Sequence, residues 1–331
     1  MDLLLGISLS TLLGLGPMMI YAFILTWFDR YEREPFWLMT VVFLWGAIVA
    51  AGSAFILNTL FGTALLAFTN DELLANVGTA VISAPIVEEA VKGLAVLAVF
   101  LFVRHEFDSL MDGIVYGSLV GFGFAATENV NYIFFSGFAE GGLGGAVMVT
   151  LVRAVGIAFL HASLSACVGL GVAYFRLSRG GARYLAPFIG YGAAVGFHAA
   201  HNFLASLGEP LLCLLGLALD WTGFLVLFAF ILYLMWRESH IMRDYLRDEV
   251  ARGLITLQQY QTAQSLIGQF AARWGTLVGG RWQQTGRFYD SLGELAFKKY
   301  HLARRGAAKE PQTPALIEQL RQQIAKLRTG V

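Results

Sequence analysis

The sequence predicts an all-α, polytopic transmembrane helix bundle of about seven spans, N-terminus out and C-terminus in, with a small C-terminal cytoplasmic helical segment. Three observations predict it. Of 331 residues, 57% are hydrophobic and 14% charged, whereas a soluble domain carries about 25% charged residues. Seven apolar stretches are long enough to cross a ~30 Å hydrocarbon core, which takes ~20 helical residues. The charges are also unevenly divided. Residues 1–236 hold 8 Lys/Arg and 15 Asp/Glu, and residues 237–331 hold 15 and 8. A net charge of zero therefore conceals an apolar, acidic transmembrane domain at 1–236 and a basic tail at 237–331. This composition excludes a disordered chain, a nucleic-acid-binding module and a conventional soluble enzyme.

The stretches are 3–28, 36–62, 74–103, 111–136, 143–176, 184–206 and 210–236. The first is preceded by Asp2 with no basic n-region and shows no small-residue cleavage site, so it reads as a retained span. Basic residues favour the cytoplasmic side. Arg30 and Arg33 follow the first span and Arg104 the third. Arg176, Arg179 and Arg183 separate the fifth from the sixth, and the tail holds fifteen more. The opposite loops, 63–73, 137–142 and 207–209, hold none. This alternation needs an odd number of spans. In the tail, a helix over 238–252 ends at Gly253 and Thr256 caps another starting near Leu257. A Gly-rich break at 275–280 precedes helices at 283–305 and 315–328. The result is a small basic bundle whose charge suits an anionic leaflet. Cys167 and Cys213 stand in apolar runs and read as small core residues.

An ionisable group deep in a bilayer costs at least ~2.5–3.5 kcal/mol, so each one inside a span is a functional candidate. The third span carries Glu88, Glu89 and Lys92, and the fourth Glu128 and Asn129. The fifth carries Arg153 and His161, the sixth His198, His201 and Asn202, and the seventh Asp220. Glu88, Glu128, His161, His198 and Asp220 all lie about 14–17 residues from the cytoplasmic end of their spans, or ~21–26 Å. They share one layer in the outer half of the membrane. Spacing of four puts Glu88 and Lys92 on one face, and His198 and Asn202 on another. Glu89 also reaches Lys92, which reads as a counter-ion. Arg153 reads as partner of Glu128 or Asp220; His201 and Asp220 read as supporting or core groups.

Two imidazoles and a carboxylate in a dry cavity suit activation of water. Zn²⁺ or another divalent metal held by Glu88, His161 and His198 would achieve it and leave a position for water. Glu88 would also achieve it as a general base without metal, with Asn202 and one His stabilising an oxyanion. The spacing does not choose between these. Intramembrane Glu, His, Lys and Arg equally suit a proton- or ion-coupled transporter. A scaffold acting through its tail would leave the buried polar groups idle.

Four blocks bear on the choice. Glu88-Glu89-x-x-Lys92 is followed by Asp112-Gly113-x-x-Tyr116-Gly117, which leads into Gly121-Phe-Gly-Phe-Ala-x-x-Glu128-Asn129. Then come His161 and His198-x-x-x-Asn202. In this order they resemble the PrsW family of intramembrane proteases over most of 1–236. That family is related to the CAAX-prenyl protease type II superfamily, which has paired Glu, a later His and His-x-x-x-Asn. Lys92 departs from that superfamily, which has Arg five residues after the first Glu, and the basic tail is an addition. The resemblance implies an intramembrane endopeptidase, multi-pass in a prokaryotic plasma membrane. It implies catalytic Glu88, Glu89, His161, His198 and Asn202, supported by Lys92, Glu128, Asn129, Arg153 and His201. It also implies a membrane-anchored protein substrate, such as a single-span anti-sigma factor, and no nucleic acid. The position of the layer places the cut near the substrate's extracytoplasmic boundary.

Overall fold

The computed structural model describes residues 2–29, 31, 34–306 and 311–328; Arg30 and Arg33, used above for orientation, lie outside them. Every regular element among the described residues is helical. α1 (Asp2–Phe28) precedes α2 (Phe36–Leu44) and α3 (Ala51–Thr69), which are joined by a π turn at Trp45–Ala50. α4 (Glu72–Gly78) and α5 (Ala84–Phe102) are joined by a π turn at Thr79–Ser83. α6 (Leu110–Tyr132) runs through a third, Ile133–Phe138, into α7 (Ala139–Leu151), which ends in a fourth, Val152–Gly156. α8 (Leu160–Leu177), α9 (Ala186–Ser206) and α10 (Pro210–Ala251) follow.

Among the described residues, four helical runs are long and apolar enough to cross a membrane: Leu3–Phe28, Phe36–Thr69, Leu110–Leu177 and Pro210–Ala251. The third has 68 residues. As one rod it would measure about 100 Å, some three bilayer cores. It folds back instead at Gly142, whose φ of 59° and ψ of −145° suit only a residue without Cβ. The returning chain then runs beside α6 in one antiparallel register. Gly137 meets Gly145, Asn129 meets Arg153, Gly121 meets His161, Gly117 meets Ser165, and Gly113 meets Gly169.

The glycines explain that register. A Cβ at Gly113, Gly117 or Gly121 would overlap the carbonyl of Gly169, Ser165 or His161. Small residues four apart let two backbones touch, which matters in lipid because no hydrophobic force draws helices together. On another side of α6, Gly123 abuts the Phe43 carbonyl and Gly46 abuts that of Val120. Flanked by α2 and α8, α6 is buried along nearly its whole length.

The expected fifth span, 143–176, is not one helix. It breaks at 157–159 and restarts at Leu160. Carbonyls freed by wide turns need partners in an apolar medium. Tyr21 Oη donates to the Ala154 carbonyl (3.0 Å), Trp221 Nε1 to that of Gly156 (2.8 Å), and Thr127 Oγ1 to that of Ala47 (2.6 Å). Phe159 fills the break, stacked on Phe224 with centroids 4.1 Å apart. His161 therefore stands in the first turn of a helix rather than in the middle of one.

Contacts divide the chain into two units, residues 1–27 with 34–230, and residues 28–33 with 231–331. The division falls inside α10, earlier than Trp236, and the link after α1 groups with the tail. In the second unit, Thr256 and Gln259 form a capping box that starts α11 (Leu257–Gln264). α12 (Leu266–Gly275), α13 (Trp282–Arg305) and α14 (Thr313–Leu327) follow. Their core includes Leu246, Phe288, Leu292, Leu320 and Tyr31, whose hydroxyl donates to the Gln264 carbonyl at 3.0 Å. The fully buried Glu249 accepts from Lys299 at 2.8 Å and from Arg321 at 2.7 Å.

Two outcomes are expected. Gly121→Val forces α6 from α8 and costs ~1–3 kcal/mol, seen as a lower Tm of the purified protein, whereas Gly16→Ala, with open space around it, does not lower it. Glu249→Ala removes the buried acceptor shared by Lys299 and Arg321, leaving them only the more exposed Asp248 and Glu318, and costs about 2 kcal/mol. Core amides of α13 and α14 should then exchange with solvent about thirtyfold faster.

Candidate active site

Pro85 is the second residue of α5 and has no N–H to give the turn before it. The chain widens there into the π turn at Thr79–Ser83. The next turn presents Glu88, Glu89 and Lys92 inward, all buried. Glu89 is fully enclosed and fully engaged. Its Oε1 accepts from Lys92 Nζ at 2.5 Å and from His198 Nδ1 at 3.0 Å, and its Oε2 accepts from Ser165 Oγ at 3.3 Å.

Glu88 differs. Asn58 Nδ2 donates to its Oε1 at 3.3 Å, and Ser83 Oγ donates to Asn58 Oδ1 at 2.8 Å, which orients that amide. Oε2 of Glu88 is buried with no hydrogen-bond partner. It faces His198 Nε2 across 3.8 Å. Because the Glu89 carboxylate holds the Nδ1–H of His198, Nε2 carries the lone pair and points at that gap.

His161, in the first turn of α8, closes the layer. Lys92 Nζ donates to its Nδ1 at 3.3 Å, and its Nε2–H donates to Glu128 Oε2 at 2.8 Å. The start of a helix favours negative charge, and the Glu128 carboxylate lies there. Arg153 binds Glu128 Oε2 at 2.5 Å and Asn129 Oδ1 at 2.9 Å, which joins α6 to the π turn at Val152–Gly156. The rings of His161 and His198 meet edge to face at 5.2 Å. Three carboxylates, Glu88, Glu89 and Glu128, thus face two permanent cations. Lys92 is committed to Glu89 and Arg153 to Glu128, so Glu88 is the carboxyl group without a cation of its own.

Three expected members lie elsewhere. Asn202 Nδ2 donates to the Ala80 carbonyl at 2.7 Å and ties α9 to the π turn before Glu88. His201 and Asp220 face one another, Nδ1 to Oδ2, at 2.8 Å. Sequence reasoning also missed Asn58, Ser83 and Ser165. They are neutral, and a search for costly charges passes over them. A polar amide inside an otherwise apolar stretch was the available signal at Asn58.

Residues 34–235 match the family described as PrsW family intramembrane metalloprotease. The chain belongs to the PrsW family. A Protease PrsW of Geobacillus kaustophilus is 31% identical over 170 residues, which cover 50% of this chain and 68% of the relative. A Protease PrsW of Clostridioides difficile is 32% identical over 124 residues, covering 37% and 50%. No solved structure matches. As a PrsW-family member the chain is an integral membrane hydrolase, an intramembrane protease, and transport is not the favoured reading.

The PrsW-family description as metalloprotease can be tested on the donors. Glu88, His161 and His198 each offer a ligand atom, all within 4.8 Å of one another. Two nitrogens and one oxygen are a zinc-type set, and bonds of ~2.1 Å in a tetrahedron would place donors ~3.4 Å apart. The 3.8 Å between Glu88 Oε2 and His198 Nε2, and the lack of any hydrogen bond at that Oε2, fit. His161 fits by exchanging its contact with Lys92, which keeps Glu89. The residues present thus suit a divalent cation.

Asn202→Ala leaves the Ala80 carbonyl without its donor, so the variant should lose ~1–3 kcal/mol of stability. A lower Tm of the purified variant checks this. An unchanged Tm with a catalytic rate reduced ~10²–10³-fold would return Asn202 to the oxyanion role.

Proposed function

We propose that this protein hydrolyses a peptide bond of a membrane-anchored protein through a water activated between Glu88 and His198. The observation that carries the reading is the buried Oε2 of Glu88, facing the lone pair of His198 with no partner of its own. Oε2 takes the water's proton as the oxygen attacks the scissile carbonyl carbon, and returns it to the leaving nitrogen as the C–N bond breaks. Glu89 fixes the tautomer of His198 and anchors Lys92. Glu128 and Arg153 hold His161 in place, and Asn202 holds the turn from which Glu88 projects. A divalent cation held by Glu88, His161 and His198 would polarise the carbonyl and acidify water.

Seven spans, N-out and C-in, remain our proposed topology. Basic residues flank alternate stretches, and the segments 72–102 and 186–206 are helical and carry the site's own polar groups. This orientation puts the site in the outer half of the membrane, so the cut falls near the substrate's extracytoplasmic boundary. The family resemblance supports single-span regulators of the anti-sigma-factor type as substrates. The organisms of the two relatives support a bacterial plasma membrane as the location.

The test is reconstitution with a tagged single-span substrate. Glu88→Gln and His161→Ala should each reduce cleavage at least ~10²-fold with the Tm preserved. Cleavage undiminished in both variants removes the assignment. Chelation should abolish cleavage by the parent and added Zn²⁺ should restore it; activity that withstands thorough chelation makes Glu88 a base acting without metal.

A further inference from the structure

α12 is folded with its polarity reversed. Its polar side chains are packed inward: Gln269 is 1% and Arg273 7% exposed, the first donating to the Ala263 carbonyl at 2.8 Å and the second to Asp290 at 2.5 Å. Its large apolar side chains point outward. Ile267, Phe270 and Trp274 follow helical spacing on one stripe. Val278 in the following turn and Trp282 at the start of α13 are exposed as well. Ile267 is 80%, Trp274 58% and Val278 99% exposed. A helix that turns its apolar stripe away from its own core marks a surface built for contact.

The charge pattern around this stripe is one-sided. Between Glu249 and Asp290 the chain contains no acidic residue. Arg281 and Arg287 there are exposed, whereas Arg273 is committed inward to Asp290 and Arg252 lies beside Asp248. Tryptophan and phenylalanine favour the headgroup region, where the ring is covered and polar edges stay wet. Arginine beside them is attracted to anionic headgroups. α10 runs unbroken from an apolar run into this unit, so the stripe stays tethered close to a bilayer and a weak contact suffices.

We propose that the stripe Ile267–Phe270–Trp274–Val278–Trp282 is a lipid-binding surface, seated in the headgroup region of the adjacent leaflet and held there by anionic phospholipid. The surface belongs to the second unit and takes no part in water activation.

The test uses the full chain with Cys167 and Cys213 replaced by serine, in vesicles of phosphatidylcholine with phosphatidylglycerol. Nitroxide labels are placed singly at Ile267→Cys, Val278→Cys and, as a solvent control, the exposed Gln322→Cys. Labels at 267 and 278 should collide more with dissolved oxygen than with a water-soluble nickel chelate, and the label at 322 should do the reverse. In phosphatidylcholine alone, the label at 278 should gain at least about threefold in nickel accessibility, in keeping with loss of the attraction of arginine to anionic lipid. Nickel accessibility at 267 and 278 equal to that at 322 overturns the proposal. So does protection from both reagents, which would mean a protein contact, or indifference to the anionic lipid.

Discussion

Charge taken out of water must be paired, and the apolar part of this molecule is organised by that requirement. Glu89 and Lys92, one helical turn apart, meet at 2.5 Å, and Glu128 and Arg153 meet at 2.5 Å across two antiparallel segments. Breaking either pair would strand an ion in a low-dielectric interior, at a cost of several kcal/mol. The second pair fixes the returning chain against α6, and the first leaves Lys92 placed to reach His161 on α8. They also leave Glu88 as the third carboxylate, held by the neutral Asn58 and not by a cation. The position proposed to activate water is the place where the pairing is incomplete.

Backbone packing determines where those charges can meet. The Gly113, Gly117, Gly121 series carries the same register that brings Arg153 to Asn129, so a carbon added low on α6 would be felt at Glu128 and His161. The wide turns supply the remaining adjustment. At each of three, a side chain from another helix satisfies a carbonyl, with Tyr21, Thr127 and Asn202 as donors. Their polar side chains act as connectors in a medium where water cannot serve. The break before Leu160 is the sharpest adjustment, and it sets His161 at a helix start facing Glu128.

Much of this was legible in the residues. Composition gave a helical membrane protein, and the cost of buried charge singled out Glu88, Glu89, His161 and His198 before any coordinates. The i+3 spacing of Glu89 and Lys92 anticipated their pair. Thr256 and Gly253 marked helix ends in the tail because capping is local chemistry. What escaped was non-local. The turn at Gly142 falls in the loop expected at 137–142, but the break at 157–159 read as part of one apolar stretch, since hydropathy does not register a carbonyl that has lost its donor. Asn202 shares a face with His198, yet its amide goes to Ala80, because the turn there opens a site that spacing does not reveal. Asp220 sits at the right depth and meets His201 instead, because depth along a helix says nothing about which neighbour it faces.

The central claim is that Glu88 and His198 act on one water as a unit. The most direct measurement is a double-variant comparison of cleavage rates in reconstituted membranes, using Glu88→Gln, His198→Ala and the two combined. Groups that work as a unit give strongly non-additive losses. The account predicts that the double variant is no slower than the slower single variant. Losses that multiply would mean that the two side chains serve separate steps, and would contradict it.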